Sequence, residues 1–528
     1  MCINEFYKWL GDLKLTEYEA GVSKEIMKQL FQRTSFITEI GLGYLTLNRL
    51  AKTLSNGEAQ RINLANQLGS SLVDTIYVLD EPTIGLHPRD VGRLTGIIKK
   101  IRDNGNIVII VEHDYDVIKS CDHVIELGPQ SGIKGGQVVF SGSMQKFLSD
   151  AKTLTSEYIR SKQKIHEDVK RRVGSATHFL TIKNIKENNL KNITLKLPLN
   201  RFVCVTGVSG SGKSSLVTKS LYPVLKKYFD FKSEDLSESE DQGEQQNGHQ
   251  INYSSMDGIE NIKSVMLINQ DVLGRSQRST PITFISGFDH IRELFAQTPL
   301  AKSRGYTSSN FSFNVKHGQC SVCGGEGYIS VDMQFMADIY IRCEACSGTR
   351  YKKEILDVTY KGKNINEVLA MTVEEAYDFF ISSQPLREML KLLIDVGLDY
   401  LVIGQPASTL SGGESQRLKI CKELLTESNK KRKSHVLYIM DEPTTGLHPQ
   451  EVEKLLVVLQ KLVDEGNSLV VIEHNMDLVK HADYIIDLGP EAGDNGGKII
   501  VEGTPKEITE SKSSHTGKIL KELLTFNI

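Results

Sequence analysis

Short apolar runs alternate along the chain with longer stretches in which apolar residues recur every three or four positions. The runs TIYVLDE, NIVIIVE, VLYIMDE and SLVVIE are typical of buried parallel strands. The stretches RDVGRLTGIIKKIRD and PQEVEKLLVVLQKLVDE predict amphipathic helices that cross from one strand to the next. Strands that alternate with helices in this way predict an α/β fold built on a parallel sheet.

The same set of patterns occurs twice. Residues 41–68 match residues 397–424 at an offset of 356, and YVLDEPTIGLHPRD at 77–90 matches YIMDEPTTGLHPQE at 438–451 at an offset of 361. A repeat with nearly constant spacing indicates a duplicated module. We therefore expect the rear part of a first module over 1–150, a charged helical linker over 151–178 and a complete second module over 179–528.

Composition narrows the possible classes of protein. The chain has 528 residues, enough for more than one core, and a net charge of −3, which excludes a basic coat. No apolar run approaches the ~20 residues that cross a membrane, and the N-terminus resembles no secretory signal. We expect a cytoplasmic protein with reduced cysteines. Residues 231–260 are acidic and predict a disordered loop, whereas Lys and Arg are in excess over 272–353.

A glycine-rich motif follows the apolar strand VCVT. GVSGSGKS at 207–214 fits the phosphate-loop pattern, in which glycines let backbone amides close around phosphates at the start of a helix. The lysine would reach the β- and γ-phosphates, and the following serine would bind Mg²⁺. The residues that we expect to bind the nucleotide here are Gly207, Ser209, Gly210, Gly212, Lys213, Ser214 and Ser215.

Polar side chains that could act on a bound nucleotide follow two further predicted strands. Asp441 would hold Mg²⁺ through water, and Glu442 would orient the attacking water. His474 would reach the γ-phosphate; a lone histidine at such a place is more often structural, but its spacing from the acidic pair recurs in the first copy. Gln270 ends another strand, where sensing of Mg²⁺ and an ordinary structural role are equally compatible with the pattern. The first-copy equivalents are Asp80, Glu81 and His113.

LSNGE at 54–58 and LSGGE at 410–414 each offer a serine hydroxyl and glycine amides at a helix start. Each could close on a γ-phosphate held by the other module, and each is also an ordinary capped helix N-terminus; both interpretations can hold together. The residues concerned are Ser55, Gly57, Glu58, Ser411, Gly412, Gly413 and Glu414.

Together these motifs resemble those of ABC-type ATPases. From about residue 40 to about 510, the combination of TLSGGESQRL, DEPTTGLHP, IEHN and DLGPEAG resembles the UvrA family of nucleotide excision repair proteins. The resemblance implies ABC-type phosphate-loop modules with a zinc-knuckle β-hairpin insertion. It also implies a damage-sensing ATPase that binds double-stranded DNA, ATP and Mg²⁺. Such a protein dimerises and works with UvrB-type partners in an excision nuclease system, without being the nuclease.

Four cysteines have the spacing of a metal site. Cys320, Cys323, Cys343 and Cys346 form two Cys-x-x-Cys pairs, and four thiolates suit a structural Zn²⁺ because they leave no open position. The intervening YISVDMQFMADIYIR predicts an amphipathic hairpin. An insertion over about 285–400 looks like the zinc-bearing hairpin module of UvrA proteins. The knuckles also resemble those of DnaJ chaperones, which have four knuckles and no phosphate loop.

Basic residues surround this zinc motif. Each by itself is more simply a solvated charge, but as a group in this insertion they favour contact with DNA phosphates, an argument that leans on the family. The candidates are Arg275, Arg278, Lys302, Arg304, Arg342, Arg350, Lys352 and Lys353.

The chain departs from the family pattern in two places. The first module has no phosphate loop or neighbouring UvrB-interaction region, and Asn56 stands where glycine is usual. We expect the first-module LSNGE to complete one ATP site in cis with the loop at 207–214. AKSRGY and MQFMADIY look closer to second-class UvrA paralogues, some of which protect against DNA-binding drugs. The leading hypothesis is a UvrA-like damage-recognition ATPase; the alternative is a truncated or drug-resistance paralogue that binds DNA or a partner with little ATP turnover.

Overall fold

The computed structural model describes residues 1–54, 56–68, 73–129, 132, 135–161, 178–234, 253–271, 273, 276–331, 333, 339–428 and 435–525. Most of the predicted acidic loop, the tip of the hairpin, Ser55 and Arg275 lie outside these residues. The chain forms two compact units. One comprises Met1–Leu127, Val138–Leu267 and Ser434–Ile528, and the other comprises Gly128–Gln137 and Ile268–Lys433. Among the described helices, none has the length and apolar character needed to cross a membrane.

The first module consists of helices around short pairs of strands. Strands β1 and β2 are parallel, with Ile76 opposite Ile107, and β3 pairs with β4. The helix predicted from RDVGRLTGIIKKIRD is confirmed, and its apolar face is buried. The elements are α1 (Ile3–Asp12), α2 (Glu17–Glu39), α3 (Asn56–Leu68), β1 (Ile76–Asp80), α4 (Pro88–Asp103), β2 (Ile107–Val111), α5 (Tyr115–Lys119), β3 (His123–Gly128), β4 (Gln137–Ser143), α6 (Met144–Ser149) and α7 (Leu154–Ser161).

The second module begins with the strand that carries the phosphate loop. Every residue of that strand, Phe202–Gly207, is buried. A π-helical turn at Val217–Leu221 joins the two helices that follow it. The elements up to residue 268 are β5 (Phe179–Ile185), β6 (Ile193–Pro198), β7 (Phe202–Gly207), α8 (Lys213–Leu216), α9 (Tyr222–Glu234), β8 (Ser255–Asp257) and β9 (Ser264–Ile268).

The predicted insertion lies within the second compact unit and is mostly helical. Its strands β10 and β11 are antiparallel, with Tyr328 opposite Arg342, which confirms the strand pairing of the predicted hairpin. The expected amphipathic burial is wrong for the described strands, because every residue of both strands is exposed. The elements are α10 (Pro281–Phe284), α11 (Gly287–Ala296), α12 (Pro299–Ser303), β10 (Tyr328–Val331), β11 (Ile339–Arg342), α13 (Lys353–Leu356), β12 (Thr359–Tyr360), β13 (Lys363–Asn364), α14 (Ile365–Leu369), α15 (Val373–Phe379) and α16 (Gln384–Asp395).

The rest of the chain completes a six-stranded sheet in the order β17-β16-β7-β15-β14-β9. Strand β7 is parallel to both β15 and β16, so the phosphate-loop strand lies inside the sheet, as expected for an α/β fold. The elements are α17 (Gly412–Ser428), β14 (Val436–Asp441), α18 (Pro449–Asp464), β15 (Ser468–Ile472), α19 (Met476–Val479), β16 (Tyr484–Gly489), β17 (Lys498–Gly503), α20 (Pro505–Thr509) and α21 (His515–Thr525).

Helix α7 corresponds to the last helix of the second module. Leu154, at its start, matches His515, at the start of α21, at the repeat offset of 361. Ile159 of α7 packs in a small core with Phe147 and Ala151. The predicted linker over 151–178 therefore begins with a helix that packs on the first module, because the apolar side of that helix has a core to cover. Residues 162–177 of that linker lie outside the described residues.

The two modules differ in how their sheets are covered. Val78 and Ile125 of the first module are 67% and 65% exposed, whereas the equivalent Ile439 and Ile486 are both 0% exposed. In the second module β7 lies between β15 and β16, and the residues of its following helices pack into the same core. Among the described residues of the first module, no strand lies between β2 and β3. The exposed apolar face is therefore the one that β7 and its helices cover in the second module.

Candidate functional site

The phosphate loop has the backbone that its glycines predict. Gly207, Gly210 and Gly212 all have positive φ angles, of 133°, 78° and 109°. At Gly207 a side chain is also excluded by contact, because a Cβ there would lie 2.1 Å from the carbonyl oxygen of Leu488. At these three positions the loop therefore presents backbone rather than a side chain.

Lys213 opens the helix that follows the loop and is buried. Its Nζ donates hydrogen bonds to the carbonyl oxygens of Gly207 and Val208, at 2.9 and 3.0 Å. Burial lowers the pKa of Lys213, although the nearby carboxylates of Glu442 and Asp441 oppose this shift. Ser211 Oγ is buried and has no hydrogen-bond partner among the described residues. A buried ammonium and an unpartnered hydroxyl beside a helix start fit the phosphates of a nucleotide.

The carboxylate strand end lies beside this loop. Asp441 is the last residue of β14, and the backbone N–H of Glu442 donates to Ile472 O at 2.9 Å. Burial and the charge of Asp441 raise the pKa of Glu442. His474 Nε2 lies 3.7 Å from Glu442 Oε1, and burial holds the pKa of His474 well below its usual range. His474 is therefore neutral, and its contact with Glu442 is not an ion pair.

Glu473, a buried glutamate that the sequence analysis did not single out, holds together the backbone segments that carry Thr444 and His474. We call the group formed by Glu442, Thr444, Glu473 and His474 the histidine corner. Glu473 Oε1 accepts from the N–H and hydroxyl of Thr444, at 2.9 and 2.5 Å. Its Oε2 accepts from the backbone N–H groups of His474 and Asn475, at 2.8 and 2.9 Å. The signal that could have found it was the repeated glutamate of VEHD and IEHN. Glu473 thus sets the backbone from which His474 projects.

The first module contains an equivalent histidine corner whose side chains are more exposed to solvent. Glu112 makes the same four contacts, and His113 Nε2 lies 3.7 Å from Glu81 Oε1. The His113 side chain is 43% exposed, whereas that of His474 is 9% exposed. Asp80 ends β1 as Asp441 ends β14. The strand ends of the two copies therefore carry the same residue types in the same arrangement. They differ in how deeply these side chains are buried.

Residues of the first module contact the phosphate loop of the second. Ser209 Oγ donates to Gly85 O at 3.0 Å and accepts from His87 N at 3.4 Å. A Cβ on Gly85 would lie 3.3 Å from Glu442 Oε1, and a Cβ on Gly446 would lie 3.4 Å from Glu81 Oε1. The two modules therefore pack reciprocally, with the glycine of each GLHP segment facing the strand-end glutamate of the other copy.

The last helix of each module, α7 or α21, contacts the GLHP segment of the other module, which gives a second reciprocal pair of contacts. His87 Nε2 lies 3.2 Å from Thr516 Oγ1, and His448 Nε2 lies 3.5 Å from Thr155 Oγ1. Thr516 Oγ1 also donates to the buried Asp487, which accepts in addition from Thr206. This network joins the first module, the last helix and the phosphate-loop strand within one compact unit.

The LSNGE and LSGGE motifs open helices α3 and α17. At the second motif Glu414 N donates to Ser411 Oγ at 3.2 Å and Ser411 N donates to Glu414 Oε2 at 2.7 Å, so this end is a capped helix N-terminus as the alternative interpretation predicts. At the first motif Glu58 is buried, while Ser55 lies outside the described residues and nothing is described beyond the backbone of Gly57. Whether these groups clamp a phosphate stays a prediction.

Gln270, which follows strand β9, packs against the start of helix α17. A Cβ on Gly412, the first residue of that helix, would lie 3.2 Å from Gln270 Cβ. Both residues belong to the second compact unit, whereas Lys213, Asp441 and His474 belong to the first. The catalytic role of Gln270 therefore stays a prediction.

The four predicted metal-ligating cysteines come together. The Sγ atoms of Cys320, Cys323, Cys343 and Cys346 all lie within 4.8 Å of one another. Cys323 Sγ and Cys346 Sγ are 3.7 Å apart, which matches the edge of about 3.8 Å for a tetrahedron with Zn–S bonds of about 2.3 Å. The donor set of four thiolates fits a structural zinc ion. It leaves no position for a substrate or a reactive water.

The basic residues around the cysteines are not equivalent. Arg350 is a correction to the predicted set of DNA contacts: it is 8% exposed, its guanidinium donates to Gly404 O at 3.1 Å, and it lies over the ring of Phe313. It is part of the fold because its charge has a buried carbonyl partner. Arg304 pairs with Asp357 at 3.0 Å. The others with exposed or partly exposed side chains are Arg278, Lys302, Arg342, Lys352 and Lys353.

The chain is similar to proteins of known type along nearly its whole length. It is 49% identical over 520 residues to the UvrABC system protein A of Aquifex aeolicus, covering 98% of this chain and 54% of that protein. It is 46% identical over 528 residues to the UvrABC system protein A of Escherichia coli K12, covering 99% of this chain and 54% of that protein. The chain thus spans about half the length of these relatives. No protein-family model matches it.

A solved structure is also similar. The crystal structure of UvrA2 from Deinococcus radiodurans superposes with a TM-score of 0.87 at 38% identity, covering 99% of this chain and 62% of that one. The similarity extends over both modules and the cysteine-bearing insertion, because it covers nearly every residue of the chain.

Proposed function

Because this chain is homologous to UvrA proteins of the ABC-type ATPase class over nearly its whole length, we propose that it forms the ATP-hydrolysing, zinc-bearing portion of a DNA-damage-recognition protein. The observation that carries the proposal is the arrangement around the phosphate loop. Lys213, Asp441, Glu442 and His474 converge there, and the Gly85 segment of the first module contacts the same loop.

We assign the following roles in ATP hydrolysis. Lys213 and the loop amides would bind the β- and γ-phosphates, and Ser214 with Asp441 would hold the Mg²⁺ ion, whose charge would offset that of the phosphates. Glu442 orients the attacking water and accepts its proton. His474, held neutral by burial, donates a hydrogen bond toward the γ-phosphate. Glu473 holds the His474 backbone in place for that purpose.

Nucleotide binding by the full chain tests this assignment. Lys213→Ala should lower affinity for Mg·ATP by at least about tenfold, since it removes the buried cation that faces the phosphates. Lys196→Ala is a control because that lysine is exposed on strand β6 and is not part of the loop. Equal affinity of wild type and Lys213→Ala would remove the phosphate loop from nucleotide binding.

We propose double-stranded DNA as the macromolecular partner and the cytoplasm as the location. Exposed side chains of the cysteine-bearing insertion, among them Lys302, Arg342 and Lys353, support phosphate contacts, and such contacts carry no sequence information by themselves. Discrimination of damaged DNA would then rest on the lower cost of deforming a distorted duplex.

The exposed apolar face of the first module supports a further element of the proposal. Val78 and Ile125 correspond to residues that β7 and its helices cover in the second module. We propose that a strand, phosphate loop and helix from outside this sequence cover the face and complete a second ATP site. A homodimer and a UvrB-type partner remain proposals drawn from the family resemblance.

The alternative of a paralogue with little ATP turnover is not favoured. Identity to the curated UvrABC system proteins is 46–49%, against 38% to UvrA2 of Deinococcus radiodurans. The phosphate loop, the acidic pair and the histidine of the second module are also all present.

A further inference from the structure

Tyr44 of the first module lies directly on the phosphate loop of the second. A Cβ on Gly210 would lie 2.6 Å from Tyr44 Cζ, and a Cβ on Gly493 would lie 2.7 Å from Tyr44 Cβ. Gly493 N in turn donates to Gly210 O at 3.0 Å. The tyrosine ring thus packs against loop backbone at a position where only glycine leaves room for it.

The hydroxyl of the same tyrosine is bonded to the helix that carries the LSNGE motif. Tyr44 Oη donates to Glu58 Oε1 at 2.6 Å, and Glu58 is buried in the first turn of α3. Arg49 holds the other carboxylate oxygen at 3.2 Å. Burial and the charge of Glu58 raise the pKa of Tyr44, so the hydroxyl remains a donor. One side chain therefore links the phosphate loop to the start of α3.

A ligand-sized space adjoins this link. A cleft of about 660 Å³ is lined by Tyr44, by Val208 and Ser209 of the loop, and by Arg89 of helix α4. Tyr44 contacts the loop at Gly210 and also lines this cleft. A change in the conformation of the loop would therefore alter the contacts of Tyr44 directly.

We propose that Tyr44 is a positioning residue that couples nucleotide binding at the phosphate loop to the orientation of helix α3. The inference rests on the proposed ATP site and adds a specific residue to it. When a nucleotide fixes the loop, the ring on Gly210 is fixed with it. The bond to Glu58 then holds the N-terminus of α3 toward the phosphates, where its backbone N–H groups stabilise negative charge.

The repeat offers a matched control. Tyr400 donates to Glu414 Oε1 at the same distance of 2.6 Å, and it belongs to the compact unit that does not contain Gly207–Ser214. Tyr44→Phe and Tyr400→Phe each remove one hydroxyl and one hydrogen bond to a carboxylate. Their effects on the stability of the nucleotide-free chain should therefore be similar, and only Tyr44→Phe should affect nucleotide coupling.

The test uses the full chain with Mg²⁺ and a non-hydrolysable ATP analogue. We expect Tyr44→Phe to raise the Kd about tenfold, since a bond to a charged group is removed at the coupled position, and Tyr400→Phe to leave it within about twofold. At saturating analogue, hydrogen exchange in residues 56–68 should slow in wild type and in Tyr400→Phe but not in Tyr44→Phe. A purely structural role would not change this nucleotide-dependent protection.

The other outcomes are distinct. Absence of analogue binding by wild type would contradict the proposed ATP site itself. Normal binding and protection in Tyr44→Phe, or equal losses in both variants, would overturn the coupling role alone. Tighter binding by Tyr44→Phe would also overturn it, because the hydroxyl would then oppose nucleotide binding.

Discussion

Replacement of Glu473 by glutamine tests whether the hydrogen bonds of its carboxylate stabilise the backbone around His474. The carboxylate accepts four hydrogen bonds, two at each oxygen, from Thr444, His474 and Asn475. An amide has the same shape but only one acceptor oxygen. In its best orientation the amide oxygen faces His474 N and Asn475 N, while the NH₂ group donates to the Thr444 hydroxyl. The backbone N–H of Thr444 then faces a donor and has no acceptor.

The cost follows from that geometry. An orphaned buried N–H costs about 1–3 kcal/mol, and the loss of charge from the remaining bonds adds about 1 kcal/mol, so we expect a total of about 3 kcal/mol. Glu112→Gln removes the same four-bond arrangement in the first module, where the glutamate is only half-buried. Water can reach the orphaned group there, so we expect about 1 kcal/mol.

Urea unfolding of the two variants of this chain at pH 8, followed by circular dichroism, measures both effects. The midpoint should fall for both variants with unchanged slope, and the loss of apparent stability should be about three times larger for Glu473→Gln. Equal losses, or a loss below about 0.5 kcal/mol for Glu473→Gln, would refute the claim that this buried carboxylate organises the His474 backbone.

Three further predictions concern the zinc site, DNA and pH. Purified protein should contain about one Zn²⁺ per chain, and Cys343→Ser should lose it while nucleotide binding persists; metal analysis showing no zinc in native protein would refute the site. Joint replacement of Arg342, Lys352 and Lys353 by alanine should weaken binding to all duplexes and reduce the log–log salt slope by up to about 0.9 for each phosphate that is no longer neutralised; an unchanged slope would locate the DNA surface elsewhere. Burial lowers the pKa of His87 to about 3, so the unfolded chain binds a proton below pH 6.5 that the folded chain does not. Stability should therefore fall by about 2 kcal/mol per such histidine between pH 7 and pH 5, and His87→Asn should flatten that part of the profile.

The sequence predicted the features that depend on local spacing. The parallel strands, the strand-end carboxylates and the cysteine cluster follow from periodicity and from ligand spacing, and the structure contains them. Strand ends such as Asp441 could be located because parallel strands bring their carboxyl ends to one edge of the sheet.

Features that depend on packing between distant segments were not predicted. Tyr44 on Gly210 and His87 with Thr516 join residues more than 160 positions apart, and no local pattern specifies such pairs. Arg350 is a second example of a feature that local sequence does not specify, here the burial of a charged side chain. Its charge suggested a surface role, but the ring of Phe313 and the carbonyl of Gly404 make a buried place for it.

The most direct test of the ATP site compares ATP hydrolysis by wild type, Glu442→Gln and Glu81→Gln. The two glutamates follow equivalent strands, and among the described residues Glu442 is the one of the two whose charge acts on Lys213 of the phosphate loop. Glu442→Gln should bind ATP and lose about 100-fold or more in turnover, because an amide cannot accept the proton of the attacking water. Glu81→Gln should retain most of the wild-type rate. Wild-type turnover by Glu442→Gln, or a greater loss from Glu81→Gln, would contradict the account.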